Sequence, residues 1–266
     1  MTERLPAMKD RLAALKAATP ARIFLPGAGS TVATSAHLAF QLAHAEARDA
    51  VEDRLDAEAL AARLNTGGLQ ALSVESAAPS RRAYLVRPDL GRRLAETGRA
   101  RLQPFAGDYD LVFVIADGLS ARAVAAHAGP VLDATFAALP AGSWKIGPVV
   151  IVSQGRVAIG DEVGKLLGAK LVAVLIGERP GLSSPDSLGV YVTFAPRIGR
   201  TDAERNCLSN IRPEGMSYAE AAAKLVYLVS EARRRSASGV GLKDESPSAA
   251  TLAHSAGEEG DGASPP

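Results

Sequence analysis

The sequence has little cysteine, few aromatic residues and no long apolar segment. Its one cysteine, Cys207, excludes an intrachain disulfide and a cysteine-rich metal site, and is typical of a reducing, cytosolic setting. The longest apolar runs, such as residues 171–176, are far shorter than the roughly 18 residues that indicate a membrane span. The N-terminal segment also lacks the apolar stretch of a secretion signal. We therefore expect neither a membrane protein nor an exported one.

The chain also lacks an excess of charge of either sign. It has 30 Lys and Arg residues and 29 Asp and Glu residues, a formal net charge of +1. This balance does not favour a protein that binds nucleic acids or anionic membranes, because both require a cationic surface. Hydrophobic residues make up 47% of the chain and charged residues 22%, which is typical of a folded protein with a substantial core. Its 266 residues are enough for one large domain or two small ones.

The first 107 residues are predicted to form a mostly helical, loop-rich region. Helices are predicted at residues 2–18, 34–53 and 57–64, and short strands at residues 69–74 and 83–86. The first helix is amphipathic, with Leu5, Leu12 and Leu15 on one face. Such a face must be covered by another apolar surface. We therefore expect this region to contact a partner.

After Asp108 the sequence alternates buried strands with helices. The strands are continuous apolar runs rich in β-branched residues, as in a parallel sheet that is covered on both faces. Strands are predicted at residues 110–116, 148–153, 171–177 and 190–195, and helices at 121–139, 161–167 and from Ser217 to Arg235. The predicted fold class is therefore α/β, a Rossmann-like parallel sheet flanked by helices and preceded by the mostly helical N-terminal region.

The composition changes again from Ser236 onward. Ser, Ala, Gly, Pro and acidic residues dominate, and large apolar residues are almost absent, a composition that favours disorder. The predicted organisation is an N-terminal helical and loop region over residues 1–107, a Rossmann-like domain over 108–239 and a disordered tail over 240–266.

Three glycine-bearing loops are predicted to meet at one edge of the sheet. Ligands of such sheets bind beyond the carboxyl ends of the strands, which here run into residues 117–120, 154–157 and 177–181. Two of these loops contain an acid, Asp117 and Glu178, whose carboxylates can accept hydrogen bonds from amides or hydroxyls. Each loop alone is consistent with an ordinary turn. Their convergence favours a binding site.

Familiar nucleotide-binding and hydrolase motifs are incomplete. Residues 27–29 begin a dinucleotide fingerprint, but Val32 stands where a glycine or alanine is required. Residues 164–166 lack the Ser or Thr of a phosphate loop. Ser120 lacks the second glycine of a nucleophile elbow and is better explained as a helix N-cap. A nucleotide-binding oxidoreductase stays an alternative that the sheet pattern favours and the broken fingerprint opposes.

The cysteine and the histidines do not form a recognisable catalytic or metal site. None of the four histidines is close to Cys207 in the sequence, and lone cysteines usually pack as small apolar groups. The histidines also lack the spacing of zinc ligands. We therefore predict no catalytic residue and no metal ligand in this chain.

Five segments together carry a family resemblance. They are YLVRPDLGRRL at 84–94, VIADGLSA at 114–121, GRVAIGDEVG at 155–164, GAKLVAVLIGERPGL at 168–182 and RNCLSNIR at 205–212. In this order they resemble the small, or light, subunit of ethanolamine ammonia-lyase. The resemblance extends over nearly the whole chain except the tail.

The resemblance implies a lyase that converts ethanolamine to acetaldehyde and ammonia in ethanolamine catabolism. Its cofactor is adenosylcobalamin, whose cobalt–carbon bond supplies a radical by homolysis. In this family the large, or heavy, subunit holds ethanolamine and most catalytic groups, and the small subunit covers the corrin ring from the other side. We therefore expect a hetero-oligomer that is inactive without the large subunit. The implied location is cytoplasmic, either free or within a bacterial microcompartment.

The resemblance also assigns three cofactor-binding residues. Val157 in GRVAIGD is expected to pack against the corrin or its lower base, Glu178 in GERPGL to accept hydrogen bonds from the cofactor, and Cys207 in RNCLSN to line the pocket without a covalent bond. The Asp-x-His-x-x-Gly signature of another cobalamin class is absent, so the cofactor is expected to keep its own base on cobalt. A further alternative is an assembly subunit without ligand contact.

Overall fold

A six-stranded sheet organises the computed structural model, which describes residues 8–19 and 21–246. A separate hairpin consists of β1 (Gly27–Ala28) and β2 (Thr31–Val32). The strands of the six-stranded sheet are β3 (Ala71–Glu75), β4 (Tyr109–Ala116), β5 (Val149–Ser153), β6 (Ala169–Gly177), β7 (Leu188–Phe194) and β8 (Arg205–Ile211). The helices are α1 (Met8–Ala17), α2 (Thr34–Glu52), α3 (Ala57–Thr66), α4 (Arg81–Val86), α5 (Glu96–Leu102), α6 (Ala121–Ala138), α7 (Ile159–Leu167) and α8 (Tyr218–Arg235). Short 3₁₀ turns occur at Leu90–Arg92, Gln103–Phe105, Asp202–Glu204 and Gly239–Gly241.

The main sheet is mostly parallel and is covered by helices on both faces. Its strand order is β3-β5-β4-β6-β7-β8, in which the first four strands are mutually parallel, and β7 pairs antiparallel with both β6 and β8. Helices α3, α6 and α8 cover one face, and α5 and α7 cover the other. The predicted α/β class, with a flanked parallel sheet and a helical N-terminal region, is confirmed. Among the described residues, no helix is both long and apolar enough to cross a lipid bilayer.

The sequence of β4 explains its position at the centre of the sheet. Leu111, Phe113 and Ile115 point to the face covered by α6, whereas Val112 and Val114 point to the face covered by α7, and all five are fully buried. Because successive strand residues alternate between faces, a continuous apolar run fills both cores. Each large aliphatic side chain buried in this way contributes about 1.5–3 kcal/mol.

The strand predicted at residues 83–86 is wrong, because this segment belongs to helix α4. Ser80 caps the helix, since its Oγ accepts a hydrogen bond from the Ala83 N–H at 3.2 Å. The next turn buries Tyr84, and Pro88 lies where a longer helix would need another backbone N–H. The capped turn and the buried ring outweigh the strand propensity of the short apolar run.

Strand β8 was not predicted from the sequence pattern. Most of its residues are polar, and four of the seven remain exposed or half-buried. The strand forms because it pairs antiparallel with β7, Tyr191 lying opposite Cys207. Strand β3 likewise joins the main sheet by pairing with β5, although it precedes residue 108, where the sheet was predicted to begin.

Residues 236–246, which the composition assigns to a disordered tail, lie against β8. The side chain of Asn206 donates to the Leu242 carbonyl at 2.7 Å and accepts from the Gly239 N–H at 2.8 Å. Leu242 is buried in the core on the α8 side of the sheet. Ser238 also donates to the Glu204 carbonyl at 2.6 Å, and Lys224 binds Asp244 at 2.9 Å. Contacts with distant segments therefore hold these residues in place. The rest of the predicted tail lies outside the described residues.

The first half of α2 projects from the body of the protein. Leu38, Phe40 and Leu42 are 57%, 43% and 62% exposed, whereas the buried residues of the helix, Ala43 and Ala50, lie in its second half. Apolar side chains clustered on a projecting helix indicate a surface that another molecule covers.

A buried ion pair joins β8 to α7. Both terminal nitrogens of Arg205 donate to the Asp161 carboxylate, at 2.8 and 2.7 Å, and one of them also donates to the Thr193 hydroxyl at 2.9 Å. The two charged side chains are almost completely buried. The pair fixes the first turn of α7 against the antiparallel end of the sheet.

We predict that Asp161→Asn destabilises the fold by about 3–5 kcal/mol, because it leaves the Arg205 guanidinium buried without a carboxylate. Chemical denaturation monitored by circular dichroism measures the change. Asp202→Asn is the matched control, since Asp202 also lies near Arg205, at 3.6 Å, but its side chain is fully exposed. An equal shift in the two variants would contradict a special role for the buried pair.

Candidate functional site

A cleft of about 900 Å³ opens at the carboxyl edge of the parallel strands. Its lining comes from the loops after β4, β5 and β6, the 3₁₀ turn at Leu90–Arg92, strand β7 and residues 198–202. The loop after β4 leads to one face of the sheet and the loop after β5 to the other. Doubly wound sheets bind their ligands at the point where the loops after neighbouring strands lead to opposite faces. The structure thus brings the three predicted loops to one cleft.

Val157 lines this cleft from the loop between β5 and α7. Its side chain is half-buried and packs against the apolar core under α7. The preceding residue, Arg156, is anchored because its backbone N–H donates to the Gly91 carbonyl at 2.8 Å. Val157 therefore offers an apolar contact on a firmly held loop.

Glu178 lines the cleft directly after β6, with one carboxylate oxygen held and the other free of donors among the described residues. The Oε2 atom accepts a short hydrogen bond from the Ser187 hydroxyl and another from the Asn210 N–H at 3.2 Å. The Glu178 backbone N–H also donates to the Ser187 carbonyl at 2.9 Å. These contacts orient the carboxylate and leave Oε1 available as an acceptor.

Two residues next to the Glu178 carboxylate, Asn210 and Gly189, have unusual backbone requirements. Asn210 has a φ of 58°, a left-handed conformation that asparagine tolerates better than most residues. Gly189 gives the carboxylate room, because a Cβ there would lie 2.9 Å from Glu178 Oε1. Sequence reasoning missed Ser187, Gly189 and Asn210. A glycine inside the apolar strand LGVYVTF was the available signal, since it marks a close approach to the backbone.

Cys207 lies on β8 beside the cleft and does not itself line it. It pairs across the sheet with Tyr191, which does line the cleft, and the thiol and the phenol are hydrogen-bonding neighbours. The residue is exposed, while its sulfur is partly shielded and lies 3.6 Å from the Leu208 carbonyl oxygen. The structure thus connects Cys207 to the cleft through Tyr191.

The surroundings of Cys207 favour the neutral thiol. Loss of hydrating water raises the pKa of Cys207, the hydrogen bond from Tyr191 lowers it, and the negative charge of Glu178 raises it further. Burial and the neighbouring thiol likewise raise the pKa of Tyr191. The thiolate is the nucleophilic form of cysteine. A raised pKa therefore agrees with a thiol that contacts a ligand without reacting with it.

Asp117, the other acid in the three loops, stabilises the protein from inside. Its two carboxylate oxygens accept the Gln154 and Gly155 N–H groups at 2.9 and 3.0 Å, and it is almost fully buried. Burial raises the pKa of Asp117, which these hydrogen bonds and the charge of Arg81 oppose. Gln154 has a left-handed φ of 57°. Asp117 holds that strained turn in place, and its oxygens are already satisfied.

Arg156 and Tyr84 form the wall of the cleft opposite Glu178. The guanidinium of Arg156 lies 4.4 Å from the Tyr84 ring centre, and its Nη2 donates to the Tyr84 carbonyl at 3.0 Å. Burial raises the pKa of Tyr84 to about 12, and its phenol donates to the Gly155 carbonyl at 3.3 Å. Stacking and hydrogen bonding fix this arginine in one position.

Alkylation of the single cysteine tests this electrostatic arrangement. We predict that the iodoacetamide reaction of Cys207 has a pH midpoint above that of free cysteine, because its raised pKa lowers the thiolate fraction at any given pH. Glu178→Gln is expected to lower the midpoint, since it removes a negative charge. Tyr191→Phe is expected to raise it, since it removes a hydrogen bond. Identical midpoints in all three proteins would contradict the assignment.

Comparisons with known proteins all point to one family. Residues 9–243 match the family model described as Ethanolamine ammonia-lyase light chain (EutC). The chain is 56% identical over 249 residues to the ethanolamine ammonia-lyase small subunit of Azotobacter vinelandii, an alignment that covers 92% of each protein. It is also 56% identical over 241 residues to the small subunit of Xanthomonas campestris pv. campestris, 89% of each protein. By profile and by identity, the chain belongs to the family of ethanolamine ammonia-lyase light chains, or small subunits.

Proposed function

We propose that this chain is the small subunit of an adenosylcobalamin-dependent lyase that converts ethanolamine to acetaldehyde and ammonia. Its cleft supplies one face of the cofactor site, and a large subunit supplies the other face and the ethanolamine site. We place this complex in the cytoplasm, free or within a bacterial microcompartment. The observation that carries the proposal is the gathering of Val157, Glu178 and the Tyr191–Cys207 pair at one cleft in a chain of this family.

The residues of the cleft fit a corrin. The corrin has an apolar ring and neutral amide side chains around its rim, which both donate and accept hydrogen bonds. Glu178 Oε1 is a free acceptor for an amide N–H, and Val157 is an apolar contact for the ring. Gly118 and Gly177 also line the cleft, and their close backbone contact brings the ends of two strands together there. The cleft has a volume of about 900 Å³.

Adenosylcobalamin, when bound, supplies the adenosyl radical by homolysis of its cobalt–carbon bond. The residues of this chain bind and orient. Glu178, fixed through Oε2, would hold an amide of the corrin rim at Oε1, and Val157 would exclude water from the apolar surface of the ring that it covers. Cys207 stays a neutral thiol beside Tyr191. These roles require no proton transfer within the small subunit.

The structure does not favour the alternative of a nucleotide-binding oxidoreductase. A dinucleotide fingerprint must connect a strand of the main sheet to the following helix. Residues 27–29 instead belong to the separate β1–β2 hairpin, in which Gly27 pairs with Val32.

The assembled enzyme provides the test. We expect the chain, co-purified with its large subunit, to bind adenosylcobalamin and to release acetaldehyde and ammonia from ethanolamine only when both subunits are present. Glu178→Ala is expected to weaken cofactor binding about tenfold or more, because a hydrogen bond to a charged group contributes about 1.5–3 kcal/mol. Equilibrium binding followed by the visible spectrum measures the affinity.

Glu214→Ala is the control, since Glu214 is exposed and lies outside the cleft. Unchanged cofactor affinity in Glu178→Ala would remove Glu178 from the site. A complex that bound NAD in place of cobalamin would overturn the proposed function.

We further propose that the large subunit covers the exposed apolar residues of α2. The double variant Leu38→Glu and Leu42→Glu is expected to reduce co-purification of the two subunits several-fold, because it places two charges on an i, i+4 apolar face. Ala39→Glu with Gln41→Glu adds the same charge at other exposed positions of the helix and is the control. Quantitative pull-down measures the yield. Equal yields from both double variants would contradict this placement of the interface.

A further inference from the structure

Four arginines line the cleft without an ion pair among the described residues. Arg92, Arg93, Arg156 and Arg179 all contribute to its walls, and none forms an ion pair with a described residue. Arg92, Arg93 and Arg179 are exposed to solvent, whereas Arg156 is half-buried. Several cationic side chains around one cleft attract anions from solution.

The other charges of the cleft are mostly neutralised. Asp89 accepts two hydrogen bonds from Arg87, at 2.9 and 2.7 Å, which hold the pKa of that carboxyl low. Asp161 is bound by the buried Arg205. Arg200 is paired with Glu204. The acids left are Glu178 and the fully exposed Asp202. The cleft therefore has an excess of positive charge although the whole chain is nearly neutral.

Three of the four arginines lie together at one end, which we term the basic end: Arg92, Arg93 and Arg156. Arg156 contacts Gly91, since its Cγ lies 3.0 Å from the position a Gly91 Cβ would occupy, and its backbone N–H bonds to the Gly91 carbonyl. Arg92 and Arg93 follow Gly91 directly. Arg92, which ends the 3₁₀ turn, and Arg93, which follows it, therefore adjoin the contact between Gly91 and Arg156 and line the same cleft.

Arg156 is also preorganised for a strong interaction. Its guanidinium is stacked on Tyr84 and bonded to the Tyr84 carbonyl, and its Nε is buried without a hydrogen-bond partner. A guanidinium that is already fixed loses little conformational entropy when it binds an oxyanion. Guanidinium groups match phosphate oxygens in geometry as well as in charge.

The basic end and Glu178 are on opposite sides of the cleft. Arg156 follows β5 and Glu178 follows β6, and β4 separates these two strands. Two strand spacings correspond to about 10 Å. The cleft therefore has one end that accepts hydrogen bonds from neutral amides and another that attracts anions.

We propose that the basic end binds the phosphodiester of the cobalamin nucleotide tail. This inference rests on the proposed function and adds the orientation of the cofactor. The side chains of the corrin rim are neutral amides, and the phosphodiester is the anionic group of the tail. A cofactor with its rim at Glu178 and its phosphodiester at Arg92, Arg93 and Arg156 satisfies both ends of the cleft.

The test compares two ligands on the assembled complex with the large subunit. Cyanocobalamin contains the phosphodiester, whereas cobinamide has the same corrin without the nucleotide tail. We expect Arg156→Gln and Arg92→Gln each to weaken cyanocobalamin binding about tenfold or more while cobinamide binding stays unchanged. Arg82→Gln is the control, because Arg82 is exposed, precedes the same segment and lies outside the cleft.

The dependence of cyanocobalamin affinity on NaCl is a second measurement, since contacts between ions are weakened by salt. We expect a shallower dependence in both cleft variants than in Arg82→Gln. Equal losses for cyanocobalamin and cobinamide, or an unchanged salt dependence in Arg92→Gln, would overturn the phosphodiester assignment. Inorganic phosphate that competed with cobinamide as well as with cyanocobalamin would also overturn it. A complex that bound neither corrin would instead overturn the proposed function.

Discussion

The floor of the cleft depends on the close approach of two glycines at adjacent strand ends. A Cβ on Gly118 would lie 2.3 Å from the Gly177 carbonyl oxygen, and a Cβ on Gly177 would lie 2.0 Å from the Ser120 carbonyl oxygen. These distances are far below any van der Waals contact, so neither position accommodates a side chain. The turn after β4 can therefore lie directly on the end of β6, where the Leu119 N–H donates to the Gly177 carbonyl at 3.0 Å. Glu178 directly follows Gly177, so this backbone contact fixes the start of the loop that carries Glu178.

Asp117 and Glu178, the two acids of the strand-end loops, show how burial gives the same chemical group different roles. Asp117 is enclosed by the protein, and a buried carboxylate is tolerated only when hydrogen bonds satisfy it. Backbone N–H groups of Gln154 and Gly155 do so, and the result is a rigid loop after β5. Glu178 lies at the rim, where one oxygen is sufficient to fix it. A ligand can therefore use the other oxygen without breaking an internal contact.

The core strands could be predicted from the sequence because their pattern has one physical explanation. A run such as that of β4 is stable only when both faces are covered. Strand β8 lacked such a signal, since its polar residues need β7 as a partner before they form a strand. Residues 83–86 favoured a strand on local composition, but the Ser80 cap and the burial of Tyr84 decide for a helix. Contacts between distant segments, such as that of Asn206 with residues 239–242, have no local signature.

The candidate site could likewise be predicted only in part from the sequence. Sheet topology was enough to select the loops of Val157 and Glu178, because the carboxyl ends of parallel strands meet at one edge. Cys207 came from the family resemblance alone, and its link to the cleft depends on the pairing of β8 with β7. The residues that orient Glu178 are brought to it by the turn between β6 and β7 and by β8. Side-chain placement of this kind depends on the register of strands, which a single sequence does not specify.

The openness of the cleft gives the proposed second subunit a physical role. Radical chemistry requires that water and other reactive molecules be excluded from the site. The sheet edge can cover only one side of a flat cofactor, since its loops diverge to the two faces and leave the cleft open between them. In the proposed complex the large subunit encloses the cleft, and the exposed apolar residues of α2 are where that subunit would gain binding energy away from the proposed cofactor site. Attaching the partner through α2 leaves the residues of the cleft free to bind and orient the cofactor.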